Sequence, residues 1–467
     1  MIATTSDDRM RAKAGGVGVA LLLVMMGAAA VQLAAFWPGI MIWDAIRQYR
    51  QSLSGVYDDW HPPAMNWLWR QLLSIRGGPA PMLVLQALLY WGGFATLAAA
   101  ALRRGRRWQA VAIGACALLP IPFVLVGAVL KDSLMAGALL LAGGLVALRR
   151  EGEWPLRAVA IVLLIAAATL RFNALPACLP LLVVALPAAW RRTWRRLALT
   201  TIVAAVPLVL AMPVANRLLH AQKSGVELSL VIYDLGGIGK FAGVDAFPPV
   251  AVADPVAVNA HCYKPVSWDS YAWWGPEPCP IGFTNLQPAF AAHHLDPYRL
   301  WVGAIVAHPL AYAEHRLAHF NDNSRFLVHD ADLPTLSLQT DPNPWNFALA
   351  PSALRDTLGA VAAWSSHMPL GWPICWLALG LGIILLALGQ PTKTIALPLA
   401  LSAWLYGMSY LPLSVASEVR YHFWTMTGIA LATVIVLADA RAIPKRRLAI
   451  AFVPLLVVLV LCVAARL

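Results

Sequence analysis

Charged side chains are scarce in this sequence. Asp, Glu, Lys and Arg make up 12% of the 467 residues, apolar residues make up 60%, and the mean hydropathy is +0.66. A soluble domain needs a much more highly charged surface, so this composition excludes the usual soluble folds. The apolar residues also occur in runs long enough to cross a hydrocarbon core of roughly 30 Å. The sequence therefore predicts an all-α polytopic membrane protein.

Cysteine is also scarce, and its spacing gives no sign of a metal cluster. The chain has six cysteines and no Cys-x-x-Cys pair. Four of them lie in apolar runs, as small core residues do, namely Cys116, Cys178, Cys375 and Cys462. Cys262 and Cys279 instead enclose a polar stretch rich in Trp and Pro. We predict a disulfide between these two, with two free thiols as the alternative.

We expect about eleven transmembrane helices. Their predicted bounds are 17–37, 81–102, 109–126, 133–148, 156–172, 175–190, 197–215, 369–389, 394–412, 421–438 and 448–464. Lys and Arg cluster in the connections between alternate spans, which places those connections in the cytoplasm. The basic start of the chain joins them, so the first span is expected to stay as an anchor, with a cleaved signal peptide as the alternative.

Two longer connections then face the periplasm or the cell exterior, and interfacial helices are expected in the first of them. The larger connection holds eight Lys and Arg against thirteen Asp and Glu, whereas the rest of the chain holds 27 against 10. The net charge of +12 thus reflects inner-membrane topology and contact with anionic lipids, not nucleic-acid binding. The predicted parts are an N-terminal transmembrane module, 1–215, with the first outer loop at 38–80; a large, mainly helical outer loop domain, 216–368; and a C-terminal transmembrane module, 369–467.

The first outer loop contains an amphipathic pattern. Its apolar positions recur at helical spacing and are Ile42, Ile46, Tyr49 and Leu53. The polar positions on the opposite face are Asp44, Arg47, Gln48 and Gln51. Gly55 is expected to end this helix, and the segment Asp58-Asp59-Trp60-His61-Pro62-Pro63 that follows is expected to be extended because of its prolines. Taken alone, Asp44 and Asp59 fit solvated loop carboxylates as well as a site.

Further ionisable groups fall at the outer ends of predicted spans. Each alone fits a snorkelling side chain or a helix cap, but together they mix carboxylates with Lys and Arg at one interface. A carboxylate takes a proton from an acceptor hydroxyl, and Lys and Arg hold phosphate, so the mixture suits transfer from a lipid-phosphate donor. The predicted substrate-binding residues are Gln48, Lys131, Asp132, Arg171, Asn173, Arg420, Tyr421 and His422.

With an acidic residue soon after the first span, interfacial helices and a large outer loop, the chain resembles the GT-C superfamily of polyprenyl-phosphate-sugar-dependent glycosyltransferases. The stretch Asp59-Trp60-His61-Pro62-Pro63 is similar to the Asp-x-His-Pro-Pro motif of the protein O-mannosyltransferases. The resemblance implies an inverting enzyme that transfers a sugar from a polyprenyl-phosphate donor to a glycan, lipid or protein acceptor at the outer face of the membrane.

The resemblance also implies a base. The acidic residue after the first span maps to Asp44, but Ala45 follows it where the mannosyltransferases have a second acid. Asp59 therefore remains an alternative base. Asp59 and His61 alternatively orient the donor phosphate or a divalent metal. A flippase or transporter of lipid-linked sugar, and a glycan ligase that uses a polyprenyl-diphosphate donor, are the competing functions.

The larger outer loop offers weaker signals. His315 and His319 have the spacing of a metal pair, but no third ligand is evident, so we predict no metal site there. The segment 228–235 fits a strand or the start of a helix, and 297–326 is expected to be helical. Trp268, Trp273 and Trp274 fit either a sugar-stacking platform or the core of a small domain.

Overall fold

The computed structural model describes residues 6–149, 153–275, 277–329, 336 and 338–467. These residues form helices and loops without any β-strand, and their only ladder pairs are isolated bridges. The all-α prediction is therefore confirmed for the described part of the chain.

The helices run in chain order as follows. The first ten are α1 (Ser6–Phe36), α2 (Trp43–Ser54), α3 (Ala64–Leu72), α4 (Ala80–Arg103), α5 (Arg107–Cys116), α6 (Pro120–Leu125), α7 (Lys131–Leu148), α8 (Trp154–Ala168), α9 (Leu175–Ala185) and α10 (Trp194–Leu218). The next six are α11 (Leu228–Ala242), α12 (Pro255–Cys262), α13 (Phe283–Ala292), α14 (Pro297–Ala307), α15 (Pro309–Ser324) and α16 (Ala353–Ser366). The last five are α17 (Pro373–Ala387), α18 (Lys393–Met408), α19 (Tyr410–Leu413), α20 (Phe423–Leu437) and α21 (Lys445–Ala464). Short 3₁₀ helices occur at Ala188–Arg191, Asp269–Tyr271, Pro369–Gly371, Val419–His422 and Ala440–Ala442.

Within the described residues, six stretches of helix are long and apolar enough to cross a membrane. They are Gly16–Phe36, Ala80–Arg103, Lys131–Leu148, Trp194–Leu218, Lys393–Leu413 and Lys445–Ala464. Three shorter apolar helices, α8, α9 and α17, accompany them. These helices indicate a multi-pass membrane protein.

Several predicted spans differ from the helices that form. The predicted span 109–126 is divided into α5 and α6, which are separated before Pro120. Proline lacks an amide hydrogen, so it is disfavoured inside a helix and favoured in the first turn of one. A break before Pro120 is therefore expected. The count of about eleven crossings stays a prediction.

In the first outer loop the expected helix is confirmed. It is α2, and Gly55 ends it with a left-handed φ of 72°. In the larger loop, 228–235 belongs to α11, so the helical alternative is the correct one. The predicted helix 297–326 forms α14 and α15, which are separated at His308 by the proline that follows.

Glycine allows α4 and α7 to pack closely. A Cβ atom on Gly93 of α4 would lie 2.7 Å from the backbone carbonyl carbon of Leu140, and one on Gly137 of α7 would lie 2.8 Å from Cβ of Leu89. Small residues at a crossing let two membrane helices approach until their backbones nearly touch. This contact fixes α7, whose first residue is Lys131, against the helix that follows the first outer loop.

A second hydrophobic core lies in the larger loop, apart from the core of the long helices. It includes Tyr233 and Leu235 of α11, Phe290 of α13 and the cysteine pair. Cys262 and Cys279 form a disulfide with a Cα–Cα distance of 5.8 Å, which confirms the predicted pairing. The cross-link encloses the Trp-rich stretch, so this stretch has a fixed position in the fold.

Candidate active site

Three side chains from distant parts of the sequence meet at Asp44. Lys131 Nζ and Arg420 Nη1 each donate to Asp44 Oδ2 at 3.1 Å. His61 Nε2 lies 3.7 Å from Asp44 Oδ1, and Lys131 Nζ lies 2.9 Å from His61 Nδ1. Since an ammonium group only donates, Nδ1 of His61 accepts and its ring proton is on Nε2, facing Asp44. We call Asp44, His61, Lys131 and Arg420 the Asp44 cluster.

A short backbone pairing brings Asp44 to Lys131. Ile40 N donates to Gly127 O at 3.0 Å, and Val129 N donates to Ile40 O at 2.9 Å. This bridge holds the start of α2 beside the start of α7. Asp44 lies in the first turn of α2, where the partial positive charge of the helix N-terminus favours a carboxylate.

The cations set the protonation states in the cluster. Burial alone would raise the pKa of Asp44, but the positive charges of Arg420 and Lys131 outweigh it and hold that pKa well below its usual range. Burial and the charge of Lys131 lower the pKa of His61 to about 3. At neutral pH the cluster therefore contains an ionised carboxylate, a neutral imidazole and two cations.

A second group of polar residues adjoins the Asp44 cluster through Tyr421. The guanidinium group of Arg171 lies 4.6 Å from the centre of the Tyr421 ring, and that of Arg420 lies 5.5 Å from it. Arg171 also forms an ion pair with the buried Asp132. Its Nε donates to Asn173 Oδ1 at 3.4 Å. Two arginines thus contact one tyrosine, and each has a carboxylate partner.

Asp59 lies in a different contact. Its Oδ1 accepts hydrogen bonds from the backbone N and the Oγ of Ser224, both at 2.7 Å. The backbone supports this, because Asp59 N donates to Gln222 O at 3.1 Å. Asp59 therefore joins the first loop to the chain after α10, whereas His61, two residues further, reaches the Asp44 cluster.

Gln48 and His422 are buried among other polar side chains. Gln48 Nε2 donates to Asn66 Oδ1 at 3.0 Å, so it joins α2 to α3. His422 Nε2 lies 2.9 Å from Asn323 Oδ1 of α15. Neither contact includes a member of the Asp44 cluster. Both residues support the helices that carry Asp44 and Arg420.

The sequence patterns missed two carboxylates near the cluster. Asp269 begins a 3₁₀ helix in the disulfide-enclosed stretch, and the negative charges of Glu418 and Asp44 contribute to a raised pKa there, after partial desolvation. Asp341 Oδ2 accepts from Trp43 N at 2.8 Å, directly beside Asp44. Both belong to the larger loop, and the one signal for Asp269 was its place between the two cysteines.

His315 and His319 take part in a buried network. His315 Nε2 lies 2.9 Å from Asp234 Oδ1, and its Nδ1 lies 2.8 Å from the Tyr263 hydroxyl. His319 Nδ1 lies 2.7 Å from the carbonyl oxygen of Pro265. Across the residues that the structure describes, no three His, Cys, Asp or Glu side chains are grouped so as to hold a metal ion.

One cavity lies at the other end of α7. It has a volume of about 220 Å³, and Arg104, Arg106 and Ala147 are among the residues that line it. Ala147 is the last residue but one of α7 and Lys131 is the first, which places the two about 24 Å apart at 1.5 Å per residue. This cavity is therefore separate from the Asp44 cluster.

No protein-family model matches the sequence, and no curated protein is significantly similar to it. The functional argument therefore rests on the geometry of the site.

Proposed function

We propose that the protein is an inverting GT-C-type glycosyltransferase, which moves a sugar from a polyprenyl-phosphate donor to an acceptor. The observation that carries this proposal is the contact of Asp44 with both Lys131 and Arg420. An ionised carboxylate beside two cations provides a base for an acceptor hydroxyl and a binding site for the phosphate that departs. In this proposal the neutral His61 donates its Nε2 proton to a phosphate oxygen that takes the place of Asp44 beside the two cations.

The donor phosphate competes with Asp44 for the same cations. Before the donor binds, Lys131 and Arg420 both donate to one oxygen of Asp44, which makes this carboxylate a weak base. A phosphate that accepts from these cations draws them away from Asp44 and raises the pKa of that carboxyl group. The base then becomes effective only when a donor is present, which limits futile proton transfer.

In the proposed reaction, the acceptor oxygen forms a bond to the anomeric carbon as the bond from that carbon to the phosphate oxygen breaks. Asp44 takes the acceptor proton, and the polyprenyl phosphate leaves with the bonding electrons. Arg171 and Arg420, which flank Tyr421, add positive charge at the leaving group. Asp132 and Glu418 hold these arginines in position.

The interior of α7 favours an enzyme over a transporter. Transport of a polar head group requires polar side chains along a path between the two membrane faces. The buried polar side chains of α7 are Asp132 and Ser133, both in its first turn, and its buried residues from Leu134 to Ala147 are apolar or glycine.

For the membrane topology we propose about eleven crossings, with the start of the chain in the cytoplasm of the inner membrane. The Asp44 cluster then lies at the periplasmic or outer face. This depth suits a polyprenyl-phosphate sugar, whose chain stays in the bilayer while its phosphate lies at the interface.

The test is to incubate the purified full chain in detergent with a panel of polyprenyl-phosphate sugars, with and without chelator, and to measure released polyprenyl phosphate. We expect release with at least one donor, and chelator-resistant release would assign the phosphate to the protein's own cations. Failure with every donor, together with donor binding on both sides of reconstituted vesicles, would replace this proposal with transport.

A further inference from the structure

Four tryptophans form a cluster beside the proposed active site. The ring centre of Trp60 lies 4.7 Å from that of Trp273 and 6.0 Å from those of Trp268 and Trp274. Trp268 is only 4% exposed, whereas Trp273 and Trp274 are 42% and 49% exposed. The buried ring anchors the cluster, and the two outer rings present indole surface to solvent. We call Trp273 and Trp274 the tryptophan platform.

One covalent link and one hydrogen bond tie this platform to the Asp44 cluster. Trp60 directly precedes His61, which contacts Asp44. On the other side, Trp268 N donates to Val415 O at 2.9 Å, in the segment that leads to Glu418 and Arg420. Both anchors are short, and the disulfide closes the same stretch, so the platform has a fixed position relative to the charged residues.

Asp269 is the carboxylate next to Trp268, the buried anchor of the platform. It follows Trp268 in the chain, it is exposed, and its Oδ2 accepts from Ser267 Oγ at 3.1 Å. Among the described residues no Lys or Arg forms an ion pair with it, in contrast to Asp44. The isolated bridge between Ser267 and Ala416 places Asp269 beside the segment that leads to Glu418 and Arg420. It is thus a hydrogen-bond acceptor that no cation occupies.

We propose that the tryptophan platform and Asp269 bind a sugar ring of the acceptor, which makes the acceptor a carbohydrate. This inference rests on the proposed glycosyltransferase function. The apolar face of a sugar ring packs against an indole, while its hydroxyls need polar partners at the edge. Asp269 and Ser267 supply such partners. A lipid tail on the same platform would instead remove water from a carboxylate without replacing its hydrogen bonds.

Trp60 and His61 connect the platform to the base. Trp273 contacts Trp60, and the next residue, His61, lies 3.7 Å from Asp44. A sugar ring stacked on the platform therefore lies next to the pair Trp60-His61 that reaches the Asp44 cluster. Asp269 acts as a positioning residue, because it orients the acceptor while Asp44 removes the proton.

The test measures binding of defined di- to tetrasaccharides to the full chain in detergent, by isothermal titration calorimetry. We expect Trp273→Ala and Trp274→Ala to weaken saccharide binding about tenfold, the effect of one lost aromatic contact, and Trp273→Phe to retain most of the affinity. Trp108→Ala is the matched control, because Trp108 is an 86% exposed tryptophan at the start of α5, and we expect no change.

A kinetic arm tests Asp269. In Asp269→Asn the acceptor KM should rise at least fivefold, while kcat and the rate of donor hydrolysis in the absence of acceptor stay near the wild-type values. A lower kcat with unchanged KM would overturn the positioning role.

If no saccharide binds, or if Trp273→Ala binds saccharides as the wild type does, the acceptor proposal is wrong even when donors release polyprenyl phosphate. Binding of a peptide or a fatty alcohol at the platform instead would also overturn it. Absence of donor turnover with intact, platform-dependent saccharide binding would count against the glycosyltransferase and leave a sugar-binding site.

Discussion

Replacing Asp44 with Asn tests the proposed base directly. Asn has nearly the same shape as Asp, so the change removes the charge and the basic oxygen but leaves the packing of α2 in place. Lys131 and Arg420 would each lose a 3.1 Å partner. Arg420 keeps Glu418, which accepts from its Nη2 at 2.8 Å, whereas Lys131 keeps only the neutral His61 as a side-chain neighbour in the cluster.

The Asp44→Asn change is expected to affect activity much more than stability. The side chains of Asp44, Lys131 and Arg420 are 23%, 12% and 9% exposed, between a surface pair and a fully buried one. We therefore expect a stability loss of about 2 kcal/mol, between the values typical of those two cases. Loss of a general base typically lowers a rate by about 10²–10⁴-fold. Activity should therefore decrease far more than the folded fraction.

The assay compares polyprenyl-phosphate release and thermal unfolding for Asp44→Asn and for a matched control, Asp58→Asn. Asp58 lies in the same loop, its side chain is also 23% exposed, and it pairs with Arg47 at 2.6 Å. The control should lose stability to a similar or smaller extent and keep its kcat. If Asp44→Asn retains more than about a tenth of the wild-type kcat, Asp44 is not the base. Equal loss of activity in both variants would assign the effect to stability.

Three further outcomes are expected. Replacing Arg420 with Ala should weaken binding of the polyprenyl-phosphate donor about tenfold or more, because a charge-assisted hydrogen bond to phosphate is lost; an unchanged Kd for the donor would contradict a phosphate role. Replacing both Cys262 and Cys279 with Ser should destabilise the larger loop by about 3 kcal/mol, since the bond closes a loop of 17 residues, and the loss should appear as proteolysis of that loop; Cys116→Ser, which removes a free thiol, should leave the digestion pattern unchanged. Finally, burial lowers the pKa of His61 and of His319 from 6.5 to about 3. The unfolded chain then binds more protons than the folded protein below pH 6.5, so the unfolding free energy should decrease as the pH falls from 6.5 towards 3, and a melting temperature that is constant from pH 7 to pH 4.5 would refute this.

Asp44, Lys131 and Arg420 were grouped from the sequence because each lies at the predicted outer end of an apolar helix. That rule works where the membrane restricts the position of a residue along one axis. The rule does not say which way a side chain faces around its helix, or which helices are neighbours. The pairing of Ile40 with the chain at Gly127 and Val129 decides that α2 meets α7, and no pattern in the sequence indicates it.

The same limit explains Asp59 and Gln48. The sequence predicts extended backbone at 58–63, which would place Asp59 and His61 on the same side, because side chains two residues apart share a side of an extended chain. The chain instead bends at 59–61. The carboxylate therefore contacts Ser224 while the imidazole contacts Asp44 and Lys131. Gln48 shares a helical face with Asp44, but this face also packs on α3, where Asn66 takes its side-chain amide. The contacts of Asp59 and Gln48 can be predicted only when the segments that pack against them are known.

The charge of the site gives a final reason to expect an anionic substrate. The arginine and lysine side chains of the two adjoining groups are Lys131, Arg171 and Arg420, and the carboxylates that pair with them are Asp44, Asp132 and Glu418. These charges cancel, so the resting protein does not leave buried cations unpaired. Asp132 is 2% exposed and held by Arg171, whereas Asp44 is 23% exposed and shares its cations with a neutral histidine. In the proposed reaction an incoming phosphate would therefore replace Asp44 more readily than Asp132, and the carboxylate that it releases would be the proposed base.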